Sequence, residues 1–147
     1  MQSGYEIVIA DTSCFILLEK LNELELLKIL FSYVITTPFG NPLPEWVKIR
    51  SVKNVVFQMS LDIDPGEASA IALAIESEPS VIILDDAKGR KLARKSNLKY
   101  TGTLGVLLKA KRAGIISALR PILDKIQVSD FRYSEDVFKE ILFLAQE

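Results

Sequence analysis

The sequence predicts an α/β fold of three layers, in which helices cover both faces of a central, mainly parallel sheet. Short apolar runs alternate along the chain with segments of helical spacing, an order typical of parallel strands joined by helices. The clearest runs, Tyr5–Ala10 and Val81–Leu84, are almost wholly apolar and do not alternate, as expected of strands buried on both faces. Each is followed by an aspartate, a residue type that often begins a helix.

Three further strands are predicted from shorter signals. Tyr33–Thr37 is rich in β-branched residues and Trp46–Val52 alternates as an edge strand does, while Leu98–Tyr100 is a candidate for a short strand. Prolines, a glycine and an asparagine in Pro38–Pro44 predict a loop between the first two of these strands.

The remaining segments are predicted to be helices, and 147 residues suit one domain spanning positions 1–147. The strongest helix signal is Asp64-Pro65-Gly66-Glu67, which places a capping residue before a proline in the first turn. The predicted helices are Phe15–Leu21 with a continuation to Phe31, Asn54–Leu61, Asp64 to about Ser77, Ala87–Ser96, Thr101 to Gly114, Ser117–Gln127 and Ser134–Gln146.

Composition excludes several kinds of chemistry. The chain has no histidine, which rules out histidine-assisted nucleophiles and histidine-bound zinc. Its one cysteine, Cys14, cannot form an internal disulfide and is expected in the core. No apolar stretch approaches the length of a membrane span and no signal peptide is recognisable, so we expect a cytoplasmic protein. With a net charge of −1, any binding of nucleic acid requires a local basic surface.

Acidic residues stand where strands of the predicted sheet end. Asp11 follows the first strand, and Asp85 and Asp86 follow Val81–Leu84. Residues just past the carboxyl ends of parallel strands line the ligand crevice of an open sheet, so these acids are expected at one edge. Carboxylates gathered there would suit Mg²⁺ or Mn²⁺, and such a metal supports phosphodiester hydrolysis without histidine. Each aspartate taken alone is equally well explained as a helix cap.

Glu67 lies on the apolar face of its helix, three and four residues before Ala70 and Ile71. A charge on an inward face needs a partner, and a metal shared with Asp11 would provide one. The alternative is a capping box, in which Asp64 is the N-cap and Glu67 reaches back to the backbone.

A basic helix follows Asp86 and would suit the binding of RNA phosphates, although a solvated helix face explains the same pattern. Its cations are Lys88, Arg90, Lys91, Arg94 and Lys95. Thr103 begins the next helix, either as a plain cap or as a residue that orients a metal-bound water.

Four segments together resemble the PIN-domain family, and in particular a small prokaryotic subfamily that is mostly uncharacterised. They are IVIADTSCFILL, DPGEASAIALA, VIILDDAKGRKLA and TGTLGVLLKAKRAGII. The resemblance implies a VapC-like, Rossmann-like domain of α/β/α type and a Mg²⁺- or Mn²⁺-dependent ribonuclease. It also implies a possible role as the toxin of a VapBC-type toxin–antitoxin pair, with single-stranded or structured RNA, an antitoxin protein and a second copy of the chain as candidate partners.

The resemblance assigns catalysis and metal binding to Asp11, Glu67 and Asp86, with Asp85 as a further candidate ligand. One departure stands out. Proteins of this family usually carry a helix with another glutamate after the second strand, whereas here a proline-rich loop follows and Glu45 is a poor substitute. Two functions therefore remain open: a metal-dependent ribonuclease, and a non-catalytic PIN-like module that binds RNA or a protein.

Overall fold

A computed structural model describes residues 7–38, 42–77, 80–129, 131 and 133–147 of the chain. The described residues form a five-stranded sheet in the order β3-β2-β1-β4-β5, in which all four strand pairings are parallel. The strands are β1 (Ile7–Ala10), β2 (Tyr33–Thr36), β3 (Val47–Ile49), β4 (Val81–Ile83) and β5 (Lys99–Thr101).

Eight helices are present in the described part of the chain. They are α1 (Thr12–Lys20), α2 (Glu25–Leu30), α3 (Val55–Ser60), α4 (Pro65–Glu76), α5 (Ala87–Lys95), α6 (Thr103–Arg112), α7 (Arg120–Gln127) and α8 (Glu135–Leu144). None of them is long and apolar enough to cross a membrane.

The sheet separates two hydrophobic cores, which confirms the three-layer fold. Val8 and Ala10 of β1 face a core built with α1, α2, α6, α7 and α8. Ile9, which lies between them, faces a second core built mainly with α4 and α5. Successive residues of a strand point to opposite faces, so a strand covered on both sides must be apolar throughout. The continuous apolar runs of the sequence therefore identified the central strands.

Two predicted helices have different boundaries in the structure. The continuation from Leu21 to Phe31 is a separate helix, because Asn22 adopts a left-handed conformation (φ 58°) that ends α1. The helix predicted from Ser117 begins at Arg120 instead. There the Glu147 carboxylate accepts hydrogen bonds from the backbone N–H groups of Leu119 (2.6 Å) and Arg120 (3.1 Å). This cap comes from a distant part of the chain, so local sequence does not reveal it.

The connection between β2 and β3 keeps the departure seen in the sequence. Residues 39–41 of the predicted loop lie outside the described residues. Between Pro42 and β3 the described chain contains turns and no helix, and Glu45 is exposed there. The described part of this connection thus contains no counterpart of the helix that carries a further glutamate in other members of the resembled family.

Candidate active site at the carboxyl edge of the sheet

The strand order places a crevice between β1 and β4. The chain runs outward from β1 through β2 to β3, then returns to β4 on the other side of β1. Loops that leave β1 and β4 therefore diverge, and such a switch point is where open parallel sheets bind ligands. Asp11 follows β1, and Asp85 and Asp86 follow β4. The topology therefore places these three acids at the same edge of the sheet, as predicted from the sequence.

Asp11 is a buried carboxylate, with only 5% of its surface exposed. Its Oδ1 accepts a hydrogen bond from the backbone N–H of Thr12 at 2.7 Å, and its Oδ2 accepts one from the Ser13 hydroxyl at 3.1 Å. Burial raises the pKa of Asp11 above its ordinary value, these hydrogen bonds lower it, and the neighbouring charges of Asp64 and Asp85 raise it. Asp11 is therefore the N-cap of α1 and also part of an acidic group.

Glu67 is directed toward Asp86. Burial raises the pKa of Glu67 to about 7, with further contributions from the charges of Asp86, Asp11 and Asp64 and from a hydrogen bond with Asp86. A hydrogen bond between two carboxyl groups requires a proton on one of them, and the raised pKa of Glu67 allows its carboxyl group to carry that proton near neutral pH. Half of the capping-box interpretation is confirmed, because Asp64 is the N-cap of α4, but the side-chain partner of Glu67 is Asp86 and not the backbone of Asp64.

Asp86 and Asp64 each cap a helix and still contribute charge to the crevice. The Asp86 carboxylate accepts a hydrogen bond from the Gly89 N–H at 3.0 Å, which confirms an aspartate N-cap for α5. The Asp64 carboxylate caps α4 by accepting one from the Gly66 N–H at 3.1 Å. Both side chains are exposed.

Sequence reasoning treated Asp64 only as a cap and missed its place beside Asp11. A Cβ atom added to Gly66 would lie 3.2 Å from Asp64 Oδ2 and 3.5 Å from Asp11 Oδ1, so the two carboxylates flank this glycine. The available signal was that Asp64 precedes Glu67 by three residues, one helical turn. We refer to Asp11, Asp64, Glu67 and Asp86 as the acid cluster.

Asp85 faces a different environment. Its Oδ1 accepts a hydrogen bond from the backbone N–H of Thr103 (2.8 Å), and its Oδ2 accepts one from the Thr103 hydroxyl (2.6 Å). The Nη2 group of Arg90 and Oδ1 of Asp85 both crowd the position that a Cβ on Gly102 would occupy. Burial and the charge of Asp85 raise the pKa of Tyr133, which also hydrogen bonds to Asp85. Donors therefore surround this carboxylate.

Thr103 is not a cap, which corrects the simpler of its two interpretations. The N-cap of α6 is Gly102, which makes no side-chain capping bond, and Asp85 satisfies the helix N-terminus from the β4 side. Thr103 is fully buried and its hydroxyl hydrogen is directed at Asp85. Its role in orienting a metal-bound water stays a prediction.

The basic helix α5 presents most of its cations to solvent. Lys88, Lys91, Arg94 and Lys95 are exposed, whereas Arg90 is half-buried. The Nε group of Arg90 donates to the carbonyl of Leu84 at 2.8 Å, and its guanidinium lies 5.8 Å from the ring centre of Tyr100. Arg94, although exposed, also donates from Nη2 to the Tyr100 hydroxyl at 3.0 Å. Arg90 and Arg94 are thus held at Tyr100, whereas Lys88, Lys91 and Lys95 extend into solvent.

The acid cluster is not arranged as a complete metal centre. In the described ranges no three Asp, Glu or Cys side chains stand close enough together to hold a metal ion. The donor chemistry nevertheless fits a hard cation, since the cluster consists of carboxylates whose charges oppose one another. Cys14 is buried, and burial raises the pKa of its thiol, so it offers no thiolate ligand and packs as a core residue, as predicted.

Comparison with known proteins gives one positive result. The family model described as the PIN domain matches residues 42–147. The matched segment includes Glu67, Asp85, Asp86 and Thr103, while Asp11 precedes it. No curated protein and no solved structure matches the chain.

Proposed function

Because the chain belongs to the PIN-domain family, which is generally nuclease-like, we propose that it is a ribonuclease dependent on Mg²⁺ or Mn²⁺. The observation that supports this proposal is the acid cluster at the switch point of the sheet. Four carboxylates approach one another there, and two of them have raised pKa values because burial and like charge both disfavour ionisation. Three of these acids stabilise the fold as helix caps, but their mutual repulsion does not, and a divalent cation would offset that repulsion.

In this proposal Asp11, Glu67 and Asp86 would hold the metal, which requires their side chains to come closer together than they stand in the structure. A bound Mg²⁺ or Mn²⁺ would supply a water of lowered pKa and positive charge beside the phosphate under attack. Asp85, predicted as a fourth ligand, is left out, since Tyr133 and Arg90 lie beside it in addition to the two hydrogen bonds from Thr103, so donors already offset its charge. The Thr12 N–H and the Ser13 hydroxyl fix the orientation of Asp11 without occupying all of its lone pairs.

Metal binding at Glu67 should be linked to the release of a proton. Because the pKa of Glu67 is about 7, a fraction of its carboxyl groups still carries a proton at neutral pH. Since a cation needs both Glu67 and Asp86 ionised, its binding would displace that proton into solution. Uptake of Mn²⁺ should therefore release protons at pH 7, and the observed heat of binding should depend on the ionisation enthalpy of the buffer.

The RNA partner is proposed from the position of α5. This helix begins at Asp86, beside the acid cluster, and its exposed cations would offset the charge of RNA phosphates without reading sequence. A toxin role, an antitoxin partner and a homodimer stay predictions from the family resemblance.

The test of the proposed function is Asp11→Asn, compared with Asp124→Asn as the control. Asparagine can still cap α1, so the fold should hold, while the metal loses an anionic ligand. Asp124 is exposed on α7, whose buried residues pack in the core on the opposite face of the sheet from α4 and α5. We expect Asp11→Asn to lower Mn²⁺-dependent cleavage of single-stranded RNA by on the order of 100-fold or more, because metal stabilisation of a transition state amounts to several kcal/mol. Cleavage that survives in Asp11→Asn, or that persists in EDTA, would contradict the proposal.

One observation favours the second candidate function, a non-catalytic module that binds RNA or a protein. In the described segments no three acids converge to the spacing of a metal centre, and the described part of the β2–β3 connection contains no acid-bearing helix. If this function is correct, wild type and Asp11→Asn should bind RNA equally well and neither should cleave it.

A further inference from the structure

A cavity beside the acid cluster has a lining suited to a nucleobase. Its volume is about 410 Å³, within the range of roughly 300–1,000 Å³ that is usual for ligand pockets. Thr12 and Gly66 line the cavity, and both also adjoin Asp11. A nucleotide whose phosphate lay at the acid cluster would therefore have this cavity next to it. We call it the polar pocket.

The walls of the polar pocket combine apolar surface with neutral hydrogen-bonding groups. Pro38, Val52, Val55 and Pro65 supply apolar surface. The polar side chains are those of Thr12, Thr37, Ser51, Gln58 and Ser69. None of the described residues that line it is charged, which disfavours a phosphate or carboxylate ligand. Flat apolar faces with polar edges are the chemistry of a base.

Two hydroxyls in the polar pocket already use their hydrogens within the protein, so toward a ligand they can only accept a hydrogen bond. The Ser69 hydroxyl donates to the Gly66 carbonyl at 2.8 Å, which uses its one hydrogen. Thr37 Oγ1 lies 2.9 Å from Ser69 Oγ and must therefore be the donor of that hydrogen bond. Thr37 is buried, so its hydroxyl is held in this arrangement. What these two hydroxyls can offer a ligand is lone pairs, and a ligand must bring the hydrogen.

We propose that the polar pocket binds a nucleobase of the RNA through an exocyclic amino group, as adenine or cytosine presents, and that it disfavours uracil. The base-binding proposal rests on the proposed function, because that function places the phosphate of the bound nucleotide at the acid cluster. The amino group of adenine or cytosine is a donor where uracil has a carbonyl acceptor. The lone pairs of Thr37 and Ser69 would attract the amino group of adenine or cytosine. They would repel the carbonyl oxygen of uracil, because no hydrogen lies between the oxygen atoms.

Two valines on α3 provide a matched pair for the test. Val55 lines the polar pocket and is 51% exposed, so a phenylalanine there would fill the pocket from its solvent side. Val56 is 80% exposed and is not among the described residues that line the pocket. Val56→Phe adds the same bulk to the same helix, outside the pocket. Neither substitution touches the buried core, and thermal unfolding would verify that both variants fold like wild type.

The experiment compares three single-stranded RNAs of about ten nucleotides, a length typical of one binding site. They contain adenosine, purine riboside (adenosine without its amino group) or uridine, and binding is measured with Ca²⁺ in place of Mn²⁺ to suppress cleavage. For wild type and Val56→Phe we expect adenosine RNA to bind on the order of tenfold more tightly than the other two, as one specific base contact allows. For Val55→Phe the three RNAs should bind alike.

Equal binding of adenosine and purine RNA by wild type would overturn the inference, as would identical behaviour of Val55→Phe and Val56→Phe. Free adenosine that binds as tightly as the RNA would also overturn it, by marking the polar pocket as a small-molecule site. The proposed function fails separately: cleavage unaffected by Asp11→Asn would refute it even if the base preference were present. Metal-dependent cleavage without any base preference would refute only the proposal that the polar pocket binds a nucleobase.

Discussion

Asp85 and Asp86 are neighbours in the chain, yet the structure gives them opposite surroundings. Asp85 accepts hydrogen bonds from the backbone and hydroxyl of Thr103 and lies near Arg90 and Tyr133. Asp86 caps α5 and otherwise faces Glu67, another acid. A carboxylate surrounded by donors, such as Asp85, therefore holds elements of the fold together. A carboxylate left beside other carboxylates stores unfavourable energy that a cation would relieve.

The same difference separates two sets of cations on α5. Arg90 is held by the Leu84 carbonyl and the Tyr100 ring, whereas Lys91 and Lys95 are exposed. One side of the helix therefore fastens α5 to the sheet. The other side, with the acid cluster at its start, is available to a ligand.

The largest effect should come from exchanging the two aspartates in turn for asparagine. Asp86→Asn should lower Mn²⁺-dependent cleavage on the order of 100-fold while stability holds or rises, because asparagine also caps a helix and a like charge beside Glu67 is removed. Asp85→Asn should instead lower the free energy of unfolding by about 2 kcal/mol, since it loses charge-assisted hydrogen bonds from Thr103. Cleavage assays and urea unfolding of both variants would measure this. A larger loss of activity in Asp85→Asn, together with a larger loss of stability in Asp86→Asn, would contradict these assignments of the two aspartates.

A smaller effect is expected from pH on the metal-free protein. The pKa of Glu67 is raised from 4.5 to about 7 in the folded state, so between these values the folded protein binds more protons than the unfolded chain. The contribution of Glu67 to stability is therefore complete below about pH 4.5 and is lost as pH rises to about 7.

Glu67→Gln should abolish the loss of stability that wild type shows as pH rises from about 4.5 to about 7. After allowance for solvent screening of a partly exposed group, we expect the variant to be about 1 kcal/mol more stable than wild type at pH 8. The two proteins should be equal near pH 4. Urea unfolding in EDTA at both pH values measures the difference, and Glu140→Gln on α8, an exposed acid, serves as the control. A difference that is the same at both pH values would show that the charge of Glu67 is not its cause.

The smallest effect concerns the exposed face of α5. Replacing both Lys91 and Lys95 by glutamine should weaken binding of unrelated single-stranded RNAs to a similar degree. The slope of log affinity against log salt should become shallower by about 0.7 for each lost phosphate contact. Turnover of bound RNA should not change, because the acid cluster is untouched.

Lys125 and Lys139, exposed on α7 and α8, provide a control pair with the same loss of charge. A titration at several salt concentrations in Ca²⁺ would compare the two double variants. Equal slopes in them would mean that α5 contributes only net charge and that its exposed cations form no RNA surface.

Much of the scaffold followed from local patterns in the sequence. Ile7–Ala10 and Val81–Ile83 were recognised because a strand buried on both faces must be apolar at every position. The start of α4 followed from Asp64-Pro65, in which the aspartate caps and the proline begins the first turn. The break between α1 and α2 was missed, since a helical spacing of apolar residues continues past Asn22, although asparagine is a residue type that adopts the left-handed conformation at a helix end.

The sequence by itself determined which acids follow which strands, and parallel strands then require those acids to gather at one edge. Only the tertiary structure decided what each carboxylate meets there. Asp85 and Asp86 are the same residue type at consecutive positions, so no local pattern distinguishes them. Thr103 and Tyr133, which surround Asp85, come from elements far along the chain. Glu67 likewise fits a capping box by spacing, but the packing of α4 beside α5 brings Asp86 within hydrogen-bonding reach and gives it a partner of its own charge. The pKa of a side chain depends on its burial and its neighbours, and both are set by contacts between residues that are distant in sequence.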